Sequence, residues 1–236
     1  ATTDGFRDLP ERWSTNRRTS IGDGGWHRWQ GTKWPPRETE PSPQVTAPQD
    51  IQADEDDVVA PRFLGADRKL LPAFWSADSG MHCLDHVVRG VWEHAYGHHI
   101  TRLMVLANVA TLLAVDAREL CDWFWVAYED AFDWVVEPNV LGMGTYALGD
   151  LFTSKPYVSG AAYIHRMGDA CKTCRFDPAQ DCPITSFYWA FLDANRAKLT
   201  NNPRVALMLA HLDKRSPATR NQDRAVRDEW WNEPIS

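Results

Sequence analysis

A short polar stretch, Cys171-Lys172-Thr173-Cys174 followed after seven intervening residues by Cys182-Pro183, holds three of the chain's five cysteines. Two thiolates separated by two residues can face one metal, because the chain curls between them and turns amide N–H groups toward the sulfurs. The stretch therefore reads as a metal clamp. A further donor is needed, and it must come from Cys83, Cys121 or a histidine. A disulfide framework is the competing use of these residues, but an odd cysteine count and a Cys-x-x-Cys pair fit it badly. Thiolate ligands imply a reducing or disulfide-poor compartment: cytosol, nucleus, mitochondrial matrix or plastid stroma.

The segments that must hold this clamp have the pattern of helices. Residues 84 to 97 carry Leu84, Val87, Val88, Val91, Trp92 and Ala95 at three-four spacing, the stripe of an amphipathic helix. Residues 99 to 114 are apolar nearly all round and predict a buried central helix. Asp116 reads as an N-cap, with Glu119 completing a capping-box-like pair, for a helix running through Trp134. Pro138, Gly142, Gly144 and Gly149 mark a long loop. Residues 157 to 167 and 184 to 199 predict helices on either side of the cysteine loop, and 202 to 212 a further one. No segment has a convincing period of two, so the fold class is all-α. The helical domain spans 62–213, and a polar tail over 214–236 carries Trp230 and Trp231.

Residues 1–61 differ from the rest. Prolines from Pro10 to Pro61, several glycines and the acidic run Asp54-Glu55-Asp56-Asp57 sustain no period, and the segment reads as an extended irregular arm. Trp13, Trp26, Trp29 and Trp34 alternate there with Arg12, Arg17, Arg18, Arg28, Lys33 and Arg37, a composition suited to lying across another protein. The same interleaving could serve single-stranded nucleic acid, but nearby acids dilute it and a formal charge of −7 disfavours binding by the whole surface, so nucleic acid is not the expected partner. The longest apolar run, Leu103 to Val115, has thirteen positions and two polar interruptions. A bilayer needs roughly twenty. A soluble protein without a membrane span is expected.

Gly80-Met81-His82-Cys83, then Tyr96-Gly97-His98-His99-Ile100-Thr101-Arg102-Leu103-Met104-Val105, then Trp134, Pro138-Asn139-Val140 and Gly142-Met143 stand in order before Lys155-Pro156-Tyr157, Tyr163-Ile164, the cysteine loop and Tyr188-Trp189. With this order and spacing, residues 62 to 200 resemble the helical part of the iron-sulfur bacterial photolyases and cryptochromes, the (6-4) photolyases and their relatives. The resemblance implies a 4Fe-4S cluster held by Cys83, Cys171, Cys174 and Cys182, and leaves Cys121 as a buried structural thiol. It also implies a proton-donating role near flavin and lesion for His98 or His99, with a hydrogen-bonded helix-end pair as the alternative. Trp75 and Trp123 match the family's electron-transfer aromatics, while Phe124 stands where a tyrosine is usual.

The chain departs from the family pattern where the flavin would be held. The α/β antenna domain, the Ser-Pro phosphate loop and the Gly-Trp-Arg-Glu-like segment are not found in residues 1 to 60, and Leu148 replaces an acid in Ala147-Leu148-Gly149-Asp150. FAD binding and DNA repair are therefore expected to be lost. The expected role is a cluster-stapled accessory subunit, docked through residues 1–61 on a larger assembly in a plastid stroma or mitochondrial matrix. An active FAD-dependent (6-4) photolyase or cryptochrome and a small iron-sulfur electron-transfer protein are the alternatives. By spacing alone, four thiolates suit zinc equally well.

Overall fold

The computed structural model describes residues 61–232, so the expected arm and its tryptophans lie outside the described residues but for Pro61. Among the described residues the regular secondary structure is helical, apart from an isolated bridge between Arg68 and Val115. That bridge ties the entering chain to the centre. The Arg68 amide donates to the Ala114 carbonyl at 3.0 Å, and the Asp116 amide donates to the Arg68 carbonyl at 2.8 Å.

A short helix, α1 (Ala73–Ser76), leads into α2 (His82–His94), whose apolar stripe buries Leu84, Val88 and Val91. Ala95, in the left-handed region at φ 53°, ends it and turns the chain. The central apolar run forms α3 (His99–Thr101), a π-helix (Arg102–Ala107) and α4 (Asn108–Leu112) in succession. Its first residues are exposed and burial begins at Leu103, so the expectation of burial from His99 onward is corrected at that end. Inside this run sits a fully buried Asn108. It satisfies itself on one residue, donating to the Ser159 carbonyl at 3.0 Å and accepting the Ser159 amide at 2.9 Å.

Helix α5 (Ala117–Ala127) starts as expected on Asp116, whose carboxylate accepts the Arg118 amide at 2.8 Å. The expected capping-box partner does something else: Glu119 pairs with Lys69, and Asp116 also receives Arg62. Nor does the helix run through Trp134. It stops at Tyr128, and a separate short helix, α6 (Asp133–Glu137), follows a break. The expected loop after Pro138 is instead a second π-helix (Pro138–Gly144), which packs against the first. Gly144 is required there, since a Cβ on it would meet the Ala107 Cβ at 2.9 Å.

Beyond it lie α7 (Ala161–Met167), a 3₁₀ turn over Ala170–Thr173, α8 (Pro183–Ala194), α9 (Arg196–Leu199) and α10 (Ala206–Asp213). The stretch expected as a polar tail contains the longest described helix, α11 (Pro217–Asn232), which lies along α8. It is attached by ion pairs as well as by apolar contacts, with Trp230 in the core and Val226 and Trp231 packed against it. Asp193 on α8 receives both Arg220 and Arg224, Arg215 pairs with buried Asp223 at 2.6 Å, and Trp230 packs edge-on to Phe187 at 5.5 Å. No described helix is long and apolar enough to cross a membrane.

Candidate metal centre

The start of α2 puts Cys83 at the second helical residue, after Met81 in extended conformation as N-cap. Cys182 is the N-cap of α8, where Pro183 pre-sets the first turn without wasting a donor. Two helix N-termini thus carry a sulfur each, the end of a helix that favours negative charge. Cys171 lies in the 3₁₀ turn and Cys174 closes it, its amide reaching the Cys171 carbonyl at 3.4 Å.

Asp177, which the sequence reading passed over, shapes the loop from Cys174 to Cys182. Its carbonyl accepts the amides of Gln180, Asp181 and Cys182 at 3.2, 3.1 and 3.0 Å, and its carboxylate accepts the Ala179 amide at 2.7 Å. A turn signal of this sort, Asp-Pro followed by a second Asp, is visible in the sequence.

Cys83, Cys171, Cys174 and Cys182 all line one cavity, together with Met81, Ala161, Ile164, Phe176 and Ile184. The space between them is small and part of it is continuous with solvent. Cys83 is buried and the other three are half-buried, and none is in a disulfide. Burial pushes the Cys83 thiol up to about 12; the neighbouring Cys182, Cys171 and Cys174 sulfurs add to it, and the Leu84 amide pulls the other way. Cys182 is pushed up to about 11, again first by burial, with the Ile184 amide opposing. Cys171 is raised by burial and by Cys174.

A single tetrahedral ion about 2.3 Å from each thiolate would need sulfurs about 3.8 Å apart. Among the described residues no three His, Cys, Asp or Glu side chains close on a point as a single ion requires. The four thiols stand around a space instead. Cys121 is fully buried elsewhere and does not line it.

The other singled-out residues fall in two further places. His98 caps α3: its Nδ1 accepts the Ile100 amide at 3.1 Å and its carbonyl accepts the Thr101 hydroxyl at 2.8 Å. The ring proton is thereby assigned to Nε2, and both His98 and His99 are exposed. Neither reaches the cysteine cavity.

Trp123 is buried and Trp75 is 37% exposed, and the structure places Trp92 between them. Trp75 and Trp92 stack with centroids 5.7 Å apart, and Trp92 meets Trp123 edge-on at 6.1 Å. Both inner indoles donate to one acceptor, the Phe74 carbonyl, at 3.1 and 3.0 Å. Trp92 escaped the sequence reading because it doubles as a member of the α2 stripe. The phenol missing at Phe124 is found one turn on: Tyr128 stacks on Phe124 at 5.1 Å and 10°. Its hydroxyl is buried without a hydrogen-bond partner, and burial holds its pKa well above the usual phenol value.

The body is helical in its regular structure, and four of its cysteines border one apolar-lined space. No family model matches the chain. A (6-4) photolyase of Agrobacterium fabrum (strain C58) is 39% identical over 174 residues, 72% of this chain and 34% of the photolyase. The uncharacterized protein R855 of Acanthamoeba polyphaga mimivirus is 28% identical over 104 residues, 44% of this chain and 81% of that protein. The chain is thus homologous to part of a (6-4) photolyase and is a relative of the photolyase/cryptochrome family, spanning about a third of that photolyase's length.

Proposed function

We propose that Cys83, Cys171, Cys174 and Cys182 hold a 4Fe-4S cluster, and that the chain serves as a non-repairing accessory subunit of a larger assembly. Residues 1–61 are its tether, and a plastid stroma or mitochondrial matrix its setting. The observation that carries the cluster reading is the gathering of four thiols, from two helix starts and a turn, around one apolar-lined space. The sequence resemblance to the iron-sulfur photolyases favours a 4Fe-4S cluster over zinc, which four thiolates would also suit. When bound, the cluster supplies a one-electron couple and a covalent staple between α2, the cysteine turn and α8. The chain's own residues do the holding. The Leu84 and Ile184 amides and two helix N-termini favour the thiolates, and Met81, Ile164, Phe176 and Ile184 line the space beside them.

Within the described residues, the reading without flavin is supported by Leu148 in place of an acid and by the Asp150 carboxylate, which accepts the Tyr146 hydroxyl. The tryptophan ladder from Trp123 through Trp92 to Trp75 favours a second reading, in which the chain passes electrons, with FAD as a photolyase or cryptochrome or without it as a small iron-sulfur carrier. An absorption spectrum of anaerobically purified protein, with iron and acid-labile sulfide assays, separates these. Equal iron and sulfide with a broad visible shoulder and no flavin bands is expected. Stoichiometric FAD would overturn the accessory-subunit reading, and zinc with no sulfide would overturn the cluster.

A further inference from the structure

The loop from Cys174 to Cys182 carries two carboxylates, Asp177 and Asp181, close to thiols that must ionise to hold a metal. Negative charge beside a thiolate disfavours it, so these residues do not serve the sulfurs through their charge. Their use is visible in the backbone. Both are exposed, yet each turns a carboxylate oxygen back onto the loop. The Asp181 carboxylate accepts the Asp177 amide at 2.6 Å. The Asp177 carboxylate accepts the Ala179 amide at 2.7 Å and the Gln180 side-chain amide at 3.2 Å. With Pro178 fixing the next φ, the turn is closed by side chains from both ends.

That turn ends on a cavity-lining cysteine. The Cys182 amide donates to the Asp177 carbonyl at 3.0 Å, and the Cys182 carbonyl accepts the Thr185 amide at 3.1 Å, so its backbone is fixed on both sides. Phe176, which also lines the cavity, stands immediately before Asp177. The Cys171–Cys174 pair is joined through a longer bond, from the Cys174 amide to the Cys171 carbonyl at 3.4 Å.

We propose that Asp177 is a positioning residue for Cys182, its side chain closing the turn that sets this sulfur on the cavity before any metal arrives. This role rests on the reading of the cavity as a thiolate metal site and adds the residue that readies it. Asp177 does not line the cavity and acts through the loop backbone. The acceptor oxygen at this position is what counts.

Asp177→Asn and Asp177→Ala isolate that oxygen, because both remove the charge and only asparagine keeps an acceptor for the Ala179 amide. In the metal-free chain, iodoacetamide labelling of each cysteine is followed by mass spectrometry. Cys182 should react roughly fivefold faster in Asp177→Ala than in Asp177→Asn, with fully buried Cys121 protected in both. Protein isolated with its iron should lose it to excess chelator faster in Asp177→Ala by a similar factor, while Asp177→Asn retains it as the unaltered chain does. Equal Cys182 labelling in the two variants overturns the proposal. So does Cys121 reacting in step with Cys182, which would mean that the whole body opens. Labelling that separates the variants in a chain that proves to carry zinc would uphold the role of Asp177 and overturn the cluster instead.

Discussion

Cys83 is the corner of the cysteine cavity that solvent does not reach, 6% exposed against three half-buried partners. Serine there removes a thiolate where no water can readily take its place, so Cys83→Ser should abolish retention of iron through gel filtration and lower the melting temperature. Cys121→Ser alters an equally buried thiol off the cavity, and should leave the iron content unchanged at a cost of about 1 kcal/mol. The reverse pattern would remove Cys83 from the ligand set. The raised thiols also set a pH dependence in the metal-free protein. Exposed thiols titrate near 9, while Cys83 and Cys182 stand at about 12 and about 11 in the fold. From pH 9 upward the unfolded chain releases protons that the folded one keeps. The stability tied to these two groups is therefore complete below pH 9 and declines as pH rises toward 11 and 12. Urea midpoints of the metal-free protein should fall over that window, and less so in the Cys83→Ser, Cys182→Ser double variant. Metal loading must displace the same protons, so its affinity should increase with pH.

At the scale of elements, Asn108 joins the central helical run to the chain entering α7 through both bonds to Ser159. Asn108→Ala would leave a buried amide and a buried carbonyl without partners, each costing about 1–3 kcal/mol. The urea midpoint should drop accordingly while iron binding persists. A loss under 1 kcal/mol would mean that Ser159 finds other partners. These elements differ in how far the sequence discloses them. The Cys-x-x-Cys pair is a local signal, and the α2 stripe a periodic one, so both were legible. Cys83 lies 88 positions before Cys171 (171 − 83), and no spacing rule connects the two; only the family resemblance did. The two π-helices were not legible, because an i→i+5 turn uses the same apolar residues as an α-helix. Pro138 and three glycines accordingly read as a loop where Gly142 and Gly144 are in fact close-approach positions, with Phe152 lying over Gly142. Helix α11 was hidden for a different reason. Arginines pair it with Asp193 while Trp230, Val226 and Trp231 pack on the core, and the many charged residues between these few apolar positions dilute the stripe.

For the whole molecule, the question is whether the helical body needs residues 1–60. Residues 61–236 form a compact unit of their own. Its first segment is fixed within it: the Phe63 amide donates to the Ala147 carbonyl at 2.9 Å, the Phe63 ring packs edge-on to Tyr146 at 5.6 Å, and Arg62 pairs with Asp116. A cut before Pro61 keeps all three contacts and every proposed cluster ligand. The truncated protein should therefore retain its iron and sulfide and melt cooperatively within a few degrees of the full chain. If residues 1–61 are the tether, it should also part from the proteins that co-purify with the full chain under mild conditions. Loss of the cluster on truncation would show that the arm is a structural part of the body. Retention of the cluster with every partner still attached would move the docking role to the body.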